Sequence, residues 1–212
     1  MRSPFVELLG ALADVFRQLG AGWYLFGAQA ALLHGAARLT ADVDVTVDLQ
    51  DKEPEVLVKA LTEAGFQMRV EDIAFTHRTR VLPVLHLATG VAADVVLAGP
   101  GLEDLFLQRA QLHDLDGILV PVACAEDVIV MKILAGRPKD IEDVVAIAAA
   151  RKDLKLDLVR SMLRTLEEAL DRNDLQPELS RALARVEDAG ESVQRASPSR
   201  GGPKNRRRPR RR

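Results

Sequence analysis

Residues 41–49 read ADVDVTVDL, and from residue 42 onward acidic or hydroxyl-bearing side chains alternate with valine and leucine. A period of two is typical of a β-strand with one apolar face and one polar face. Asp42 and Asp44 therefore lie on the same side of the predicted strand, close enough to bind one hard cation. An isolated Asp-x-Asp pair is more often a polar strand face turned to water, so the neighbouring segments have to decide between the two interpretations.

The segment before this strand has a distinctive order of elements. Trp23–Phe26 predicts a short strand, Gly27 a turn, and the alanine- and leucine-rich stretch Ala28–His34 a helix. The predicted order is strand, glycine turn, helix and then the acidic strand. This order favours a mixed α/β domain.

Two further strands are predicted over Val81–Leu87 and Val91–Leu97, and Asp94 lies within the second of them. Carboxylates on neighbouring strands repel one another unless a cation or a proton lies among them. We therefore predict that Asp94 joins Asp42 and Asp44 in a site for a divalent cation.

Helical spacing of apolar residues dominates the remainder of the chain. The predicted helices cover Pro4–Leu19, Glu53–Ala64, Ala125–Leu170 with a break at residues 136–138, and Pro177–Ala189. Together the elements predict an α/β core over residues 1–120, in which a mixed sheet is flanked by helices. A helical C-terminal part over residues 121–189 follows this core.

The composition is that of a globular protein. The chain has 212 residues, of which 48% are hydrophobic and 4% aromatic. The longest apolar runs, such as residues 91–99, are too short to cross a bilayer, and the N-terminus does not have the pattern of a signal peptide. We expect a cytoplasmic protein that does not insert into membranes. The single cysteine, Cys124, fits a reducing compartment and is interpreted as a small buried side chain.

The C-terminal segment differs in charge from the rest of the chain. Residues 191–212 contain nine Lys or Arg and one Glu, although the formal net charge of the whole chain is −2. With almost no large apolar side chains, residues 190–212 are predicted to be a disordered, Arg-rich tail. Such a tail binds phosphodiester backbones without reading their sequence, which makes RNA a natural partner. A solubilising tail is an equally good interpretation.

Several segments resemble the nucleotidyltransferase superfamily, and within it the small bacterial enzymes of type IV toxin–antitoxin systems and their uncharacterised relatives. The matching segments occur in the order typical of that group: Tyr24–Gly35 for the turn and helix, Arg38-x-Thr40-x-Asp42-x-Asp44 for the metal strand, Asp94, Glu126-Asp127, Lys132, and Ala135–Asp143. The resemblance covers roughly residues 22–145.

The resemblance implies that a nucleoside monophosphate is transferred from an NTP to a hydroxyl group and that pyrophosphate leaves. The acceptor would be RNA, such as a tRNA end, or a protein side chain, and a cognate antitoxin or toxin would be the partner. Asp42, Asp44 and Asp94 would hold Mg²⁺ or Mn²⁺, and Asp94 would help to remove the proton of the acceptor hydroxyl.

The resemblance also suggests residues that contact the nucleotide. Gly27 and Ala28 would offer backbone N–H groups to the triphosphate, because the turn leads into a helix N-terminus. Further contacts are expected from Arg38, Lys132, Arg137 and Asp140. Each of these has a structural alternative: a surface ion pair for Arg38, a solvated helix position for Lys132, and a polar turn between helices for Arg137 and Asp140.

One position departs from the superfamily pattern. Ala28 stands where a serine usually follows the turn glycine, so a hydroxyl contact to phosphate is missing. This departure leaves open a noncatalytic protein that keeps the fold as a binding or regulatory module. A third interpretation is an RNA-binding accessory protein that acts through its basic tail. His34, on the helix after the turn, is interpreted as a packing residue rather than a substrate contact.

Overall fold

A computed structural model describes residues 2–37, 40–70 and 72–196, with the backbone alone described for residues 189–196. Its strands are β1 (Gly22–Phe26), β2 (Asp42–Asp48), β3 (Phe66–Met68), β4 (Val81–His86), β5 (Val91–Leu97), β6 (Gln111–Leu115) and β7 (Ile118–Val122). Its helices are α1 (Pro4–Leu19), α2 (Gly27–Leu33), α3 (Pro54–Glu63), α4 (Ile73–Thr79), α5 (Leu102–Arg109), α6 (Ala125–Ala135), α7 (Pro138–Ala150), α8 (Leu156–Leu170) and α9 (Leu175–Ala196).

The strands form one sheet in the order β3-β4-β5-β2-β1-β7-β6. β2 is parallel to β5 and β1 is parallel to β7, whereas the other neighbouring pairs are antiparallel. The predicted fold class, a mixed sheet flanked by helices with a helical region after it, is confirmed.

The predicted alternation along the central strand is also confirmed. Val43, Val45 and Val47 of β2 are fully buried in the core, whereas Asp42 is exposed and Asp44 is half-buried. Burying three valines stabilises the fold by several kcal/mol, at about 1.5–3 kcal/mol for each fully buried side chain. This burial fixes which face of β2 carries the carboxylates, since a slip of one residue would exchange the faces.

The first helix shows how local sequence sets the ends of an element. The Ser3 hydroxyl accepts a hydrogen bond from the backbone N–H of Val6, Pro4 occupies the first turn, and Gly20 ends α1 in the left-handed conformation. The apolar stripe of α1 packs against β1, β5 and β7. The helix α2 packs on β1 and β2, and α6 packs on α2, which joins the helical region to the sheet.

Five elements are not predicted by the sequence patterns, namely β3, α4, α5, β6 and β7. β3 has three residues and α4 has seven, too few to show a clear period. β7 runs from residue 118 to residue 122 and therefore crosses the predicted boundary at residue 120. Because β7 pairs with β1, the sheet includes residues on both sides of that boundary.

The last helix differs from the prediction at its end. Sequence analysis places a helix over Pro177–Ala189 and a disordered tail from residue 190, but α9 continues to Ala196. Residues 197–212, which hold most of the predicted basic tail, lie outside the described residues. Within the part of the chain that the structure describes, no helix is both long and apolar enough to cross a membrane.

Candidate functional site

The acidic residues of β2 and β5 meet in a row across the sheet. Because the two strands are parallel and in register, Asp44 is the direct partner of Asp94. On their outer sides, Asp44 is paired with Phe26 of β1 and Asp94 with Pro83 of β4. Asp42 lies two residues before Asp44, on the same side of β2. The structure therefore brings the three predicted carboxylates to one region of the sheet.

Gly27 makes room for one of these carboxylates. Its φ is +67°, in the left-handed region that favours glycine, and a Cβ atom at this position would collide with the Asp44 carboxylate. Glycine is thus required here for two separate reasons, its backbone conformation and the close approach of a side chain. The turn that begins α2 lies directly against Asp44.

These residues line a single cleft of about 300 Å³. The predicted site residues along it are Gly27, Ala28, Asp42, Asp44, Asp94, Lys132, Arg137 and Asp140. Sequence analysis does not single out other residues that line it, namely Phe26, Val128, Met131, Ala135 and Lys139. The cleft lies between the carboxylate row, the Gly27 turn and the junction of α6 with α7. Arg38, predicted to contact nucleotide, is outside the described residues, but Thr40 lines the cleft.

The environment of Asp44 disfavours its charge. Burial, together with the nearby carboxylates of Asp94 and Asp42, raises the pKa of Asp44 to about 6, although Lys132 and Arg137 act in the opposite direction. Burial likewise raises the pKa of Asp94, against the effect of Arg69. Like charges placed close together in a partly buried cleft repel one another, and a bound cation would relieve that repulsion.

The three carboxylates have the oxygen chemistry that a hard divalent ion prefers. The Oδ1 atom of Asp94 is buried and has no hydrogen-bond partner, so an oxygen ligand is available there. As the side chains stand, no group of three or more His, Cys, Asp and Glu residues among those described is arranged to hold a metal ion. Sharing one ion therefore requires the side chains of Asp42, Asp44 and Asp94 to turn toward one another.

Lys132 lines the cleft, but its ammonium group has two carboxylate partners. The residue is only 5% exposed, and its ammonium group donates hydrogen bonds to Asp140 at 3.0 Å and to Asp143 at 2.7 Å. Asp140 is fully buried and also accepts from the Arg137 guanidinium. These four residues form a charged cluster that fastens the end of α6 to the start of α7.

The same cluster sets the charge of Asp140. Burial alone would raise the pKa of this carboxyl group, but hydrogen bonds from Arg137 and Lys132 hold it below its usual range. Asp140 is therefore ionised and hydrogen-bonded to two cationic side chains, those of Arg137 and Lys132. The exposed side chains of Arg137 and Lys139 supply the positive charge on the cleft side of this junction.

His34 is a buried packing residue, as its place on the helix after the turn predicts. It is 2% exposed, its Nε2 atom lies 2.8 Å from the carbonyl oxygen of Ala123, and its Nδ1 atom lies 3.3 Å from the Arg151 guanidinium. Since the guanidinium can only donate, Nδ1 accepts and Nε2–H donates to the carbonyl, which describes a neutral imidazole. Burial lowers the pKa of His34, in agreement with that assignment.

One further residue, Arg69, lies beside the carboxylate row. Arg69 follows β3, and its Nη1 atom lies 3.6 Å from Oδ1 of Asp94. No sequence pattern identifies it, because the contact depends on the pairing of β3 with β4 and of β4 with β5.

Comparison with known proteins places the chain among nucleotidyltransferases. The profile of the family described as "Nucleotidyltransferase of unknown function (DUF6036)" matches residues 17–182. No curated protein gives a significant match.

The solved structures that share the fold include two with TM-scores above 0.5. The solution structure of the antibiotic-resistance factor ANT(2'')-Ia has a TM-score of 0.55 and 15% identity, over 81% of this chain and 97% of that protein. The crystal structure of an antigenic nucleotidyltransferase-like protein from Paracoccidioides brasiliensis has a TM-score of 0.52 and 19% identity, over 84% and 91% of the two chains. At such identities the likeness shows the fold alone.

Proposed function

The chain belongs to this family of nucleotidyltransferases of unknown function, and from that premise we propose that it transfers a nucleoside monophosphate from an NTP to a hydroxyl group. The observation that carries the proposal is the pairing of Asp44 with Asp94 in a cleft that also contains the Gly27 turn. We include a requirement for Mg²⁺ or Mn²⁺ in this proposal. An ion held by Asp42, Asp44 and Asp94 would neutralise charge on the triphosphate and polarise the acceptor hydroxyl.

The donor triphosphate is assigned to the side of the cleft formed by the Gly27 turn and the start of α7. Backbone N–H groups at Gly27 and Ala28 are available to phosphate oxygens, since glycine allows a close approach. Arg137 and Lys139 line the same cleft with exposed cationic side chains. Lys132 and Asp140 hold Arg137 in place through their buried hydrogen bonds, so we assign them a positioning role.

The chemical step requires one bond to form and one to break. The acceptor oxygen attacks the α-phosphorus, the bond from that phosphorus to the bridging oxygen breaks, and pyrophosphate leaves. The acceptor proton passes to a carboxylate. We assign this role to Asp94, because it lines the cleft and burial raises the pKa of its carboxyl group.

The acceptor in this proposal is a hydroxyl of RNA, such as a tRNA end, or of a protein. The resemblance to type IV toxin–antitoxin enzymes extends the proposal to a toxin–antitoxin role with a cognate partner protein. Growth arrest on expression of the chain, relieved by a neighbouring gene product, is the observation expected from that role.

The direct test incubates the protein with each α-labelled NTP, Mg²⁺ and either total RNA or lysate protein, and asks which molecule acquires label. Asp44→Asn should lower transfer by at least about a hundredfold, since even residues that only hydrogen-bond to metal ligands cost about 10–100-fold. It should also weaken Mn²⁺ binding, measured separately by calorimetry.

Asp48→Asn is the matched control. Asp48 lies on the same strand and on the same side as Asp44, but it does not line the cleft. The control should retain transfer and Mn²⁺ affinity. Equal transfer by Asp44→Asn and the parent, under conditions where the parent is active, contradicts the proposed function.

A second candidate function rests on Ala28, which lines the cleft where the superfamily usually has serine. A noncatalytic protein of this fold would bind NTP and transfer nothing. Ala28→Ser restores the hydroxyl. Transfer by this variant, together with NTP binding but no transfer by the parent, would support the noncatalytic module.

A further inference from the structure

Arg69 is fixed to the carboxylate row by its backbone. Its N–H group donates a 2.9 Å hydrogen bond to the carbonyl oxygen of Pro83, and Pro83 is the register partner of Asp94. Arg69, Pro83, Asp94 and Asp44 therefore follow one another across the sheet from β3 toward β2. The backbone contact does not depend on the identity of the side chain at position 69.

The Arg69 guanidinium has N–H donors that make no hydrogen bond to Asp94. Its Nη1 atom lies 3.6 Å from Oδ1 of Asp94, which is an ion-pair distance without a hydrogen bond. The side chain is 46% exposed. A guanidinium group has five N–H donors in a fixed fork that matches a phosphate or a carboxylate. An anionic ligand can thus reach Arg69 while the electrostatic contact with Asp94 persists.

Positive charges flank the carboxylate pair from opposite sides. Lys132 and Arg137 act on Asp44, whereas Arg69 acts on Asp94. In the sheet, β3 and β4 lie on one side of β5, and β2 and β1 lie on the other. The Gly27 turn follows β1, so Arg69 and the Gly27 turn are separated by the carboxylate pair.

This arrangement indicates the side from which the acceptor approaches. The inference rests on the proposed function. Attacking and leaving oxygens lie roughly in line on opposite faces of the transferred phosphorus. If pyrophosphate leaves on the side of the Gly27 turn and α7, the acceptor approaches from the side of Arg69. We propose that Arg69 binds the phosphodiester next to the acceptor hydroxyl, and that the acceptor is the 3′-terminal nucleotide of an RNA chain.

The chemistry of the acceptor favours RNA over protein. A 3′-terminal nucleotide carries a phosphodiester a few bonds from its hydroxyl groups, which matches a cation placed 3.6 Å from the Asp94 carboxylate at the edge of the carboxylate row. A serine, threonine or tyrosine side chain carries no anionic group at a fixed distance from its hydroxyl. Arg69 therefore acts as an acceptor-binding residue that selects a polynucleotide end.

The test uses two 5′-labelled RNA trinucleotides of equal charge. In one, the linkage next to the 3′-terminal nucleotide is a neutral methylphosphonate; in the other, the first linkage is neutral. Binding to the full-length protein is measured by fluorescence anisotropy with Mg²⁺ and an NTP analogue that cannot be cleaved between the α- and β-phosphates. Because the net charges are equal, nonspecific capture by basic segments affects both oligonucleotides alike.

The parent should bind the oligonucleotide with the neutral terminal linkage about tenfold more weakly, as expected for loss of a charge-assisted hydrogen bond. Arg69→Gln should bind the two oligonucleotides equally, and Arg69→Lys should keep part of the preference. Arg17→Gln, at an exposed position on α1, should behave as the parent does. A thermal unfolding curve for each variant verifies that the fold is retained.

Several outcomes overturn the inference. These are a parent that binds the two oligonucleotides equally or binds neither, an Arg69→Gln variant that keeps the parent's preference, and label transferred to protein by parent and Arg69→Gln at the same rate. None of them depends on the Asp44→Asn comparison. A failure of the Arg69 assignment in an active enzyme is therefore distinguishable from a failure of the proposed function itself.

Discussion

Replacing Lys132 with methionine is expected to destabilise the protein strongly. The change keeps most of the side-chain volume but removes the ammonium group that donates to Asp140 and Asp143. Asp140 is fully buried and Asp143 nearly so, which leaves buried carboxylates without this cation. Breaking a buried ion pair from one side costs about 3–5 kcal/mol. With a slope of about 2 kcal/mol per molar urea, the midpoint of unfolding should fall by about 1.5 M or more.

The pH dependence of this loss identifies its cause. In the parent, the lowered pKa of Asp140 means that its ionised form stabilises the fold above the pKa of the unfolded chain, and that this contribution is lost as pH falls through the folded pKa. Without Lys132 the buried carboxyl group of Asp140 accepts a proton more readily. The difference in the free energy of unfolding between variant and parent should therefore be largest at neutral pH. It should become smaller toward a pH of about 4, near the usual pKa of aspartate.

The matched control is Lys139→Met, two residues after Arg137 on the cleft side of the same junction. Because Lys139 is exposed, the free energy of unfolding of this variant should stay within about 0.5 kcal/mol of the parent's, while its NTP affinity falls. Urea unfolding followed by far-UV circular dichroism measures the first quantity, and calorimetry with a nonhydrolysable NTP measures the second. If Lys132→Met unfolds at the same urea concentration as the parent, the positioning role is refuted. Lys132 would then be interpreted as a phosphate ligand.

Two further predictions concern residues around the cleft. Gly27→Ala should destabilise the protein by about 1–3 kcal/mol more than Gly90→Ala, because both positions have a φ of +67° but only at Gly27 does a Cβ atom meet a carboxylate. Thermal unfolding curves of the two variants give this difference in stability. Equal losses of stability would contradict the close contact between Gly27 and Asp44. His34→Asn should reduce the loss of stability between pH 7.5 and 5.5. The pKa of the buried imidazole is lowered, so the unfolded chain binds a proton before the folded protein does as pH falls below about 6.5. Urea midpoints at the two pH values test this, with exposed His77→Asn as the comparison, and an unchanged pH dependence argues against a neutral, buried His34.

Local sequence is sufficient to predict the carboxylates because the relevant pattern is itself local. The two-residue period of β2 places Asp42 and Asp44 on one side whichever strands become its neighbours, and the apolar run around Asp94 predicts a strand in the same way. The register of Asp44 with Asp94 is a different kind of information. It depends on β5 pairing in parallel with β2 across an intervening α3, β3, α4 and β4, which no local period specifies.

The residues of the α6–α7 junction show where spacing ceases to be informative. Lys132 is eight residues before Asp140 and eleven before Asp143, and in a solvated turn such residues would carry no fixed contact. They become a buried cluster because Gly136 ends α6 in the left-handed conformation and Pro138 begins α7, so that the second helix returns against the first. Because Lys132 is buried among these carboxylates, we propose that it positions Arg137 and Asp140 rather than contacting phosphate.

Recognition of the acceptor is the part of such a site that sequence patterns describe least. The proposed metal and triphosphate sites require particular side chains at short spacings, so the candidates for them are recognisable in the sequence of β2 and of the Gly27 turn. Binding an acceptor phosphodiester requires only a cation at the correct distance from Asp94, and any element whose chain reaches that side of the sheet can supply it. In this chain the three-residue β3 brings Arg69 there through its pairing with β4. Acceptor-side residues in relatives should therefore be sought by their register with the Asp94 position rather than by a sequence motif.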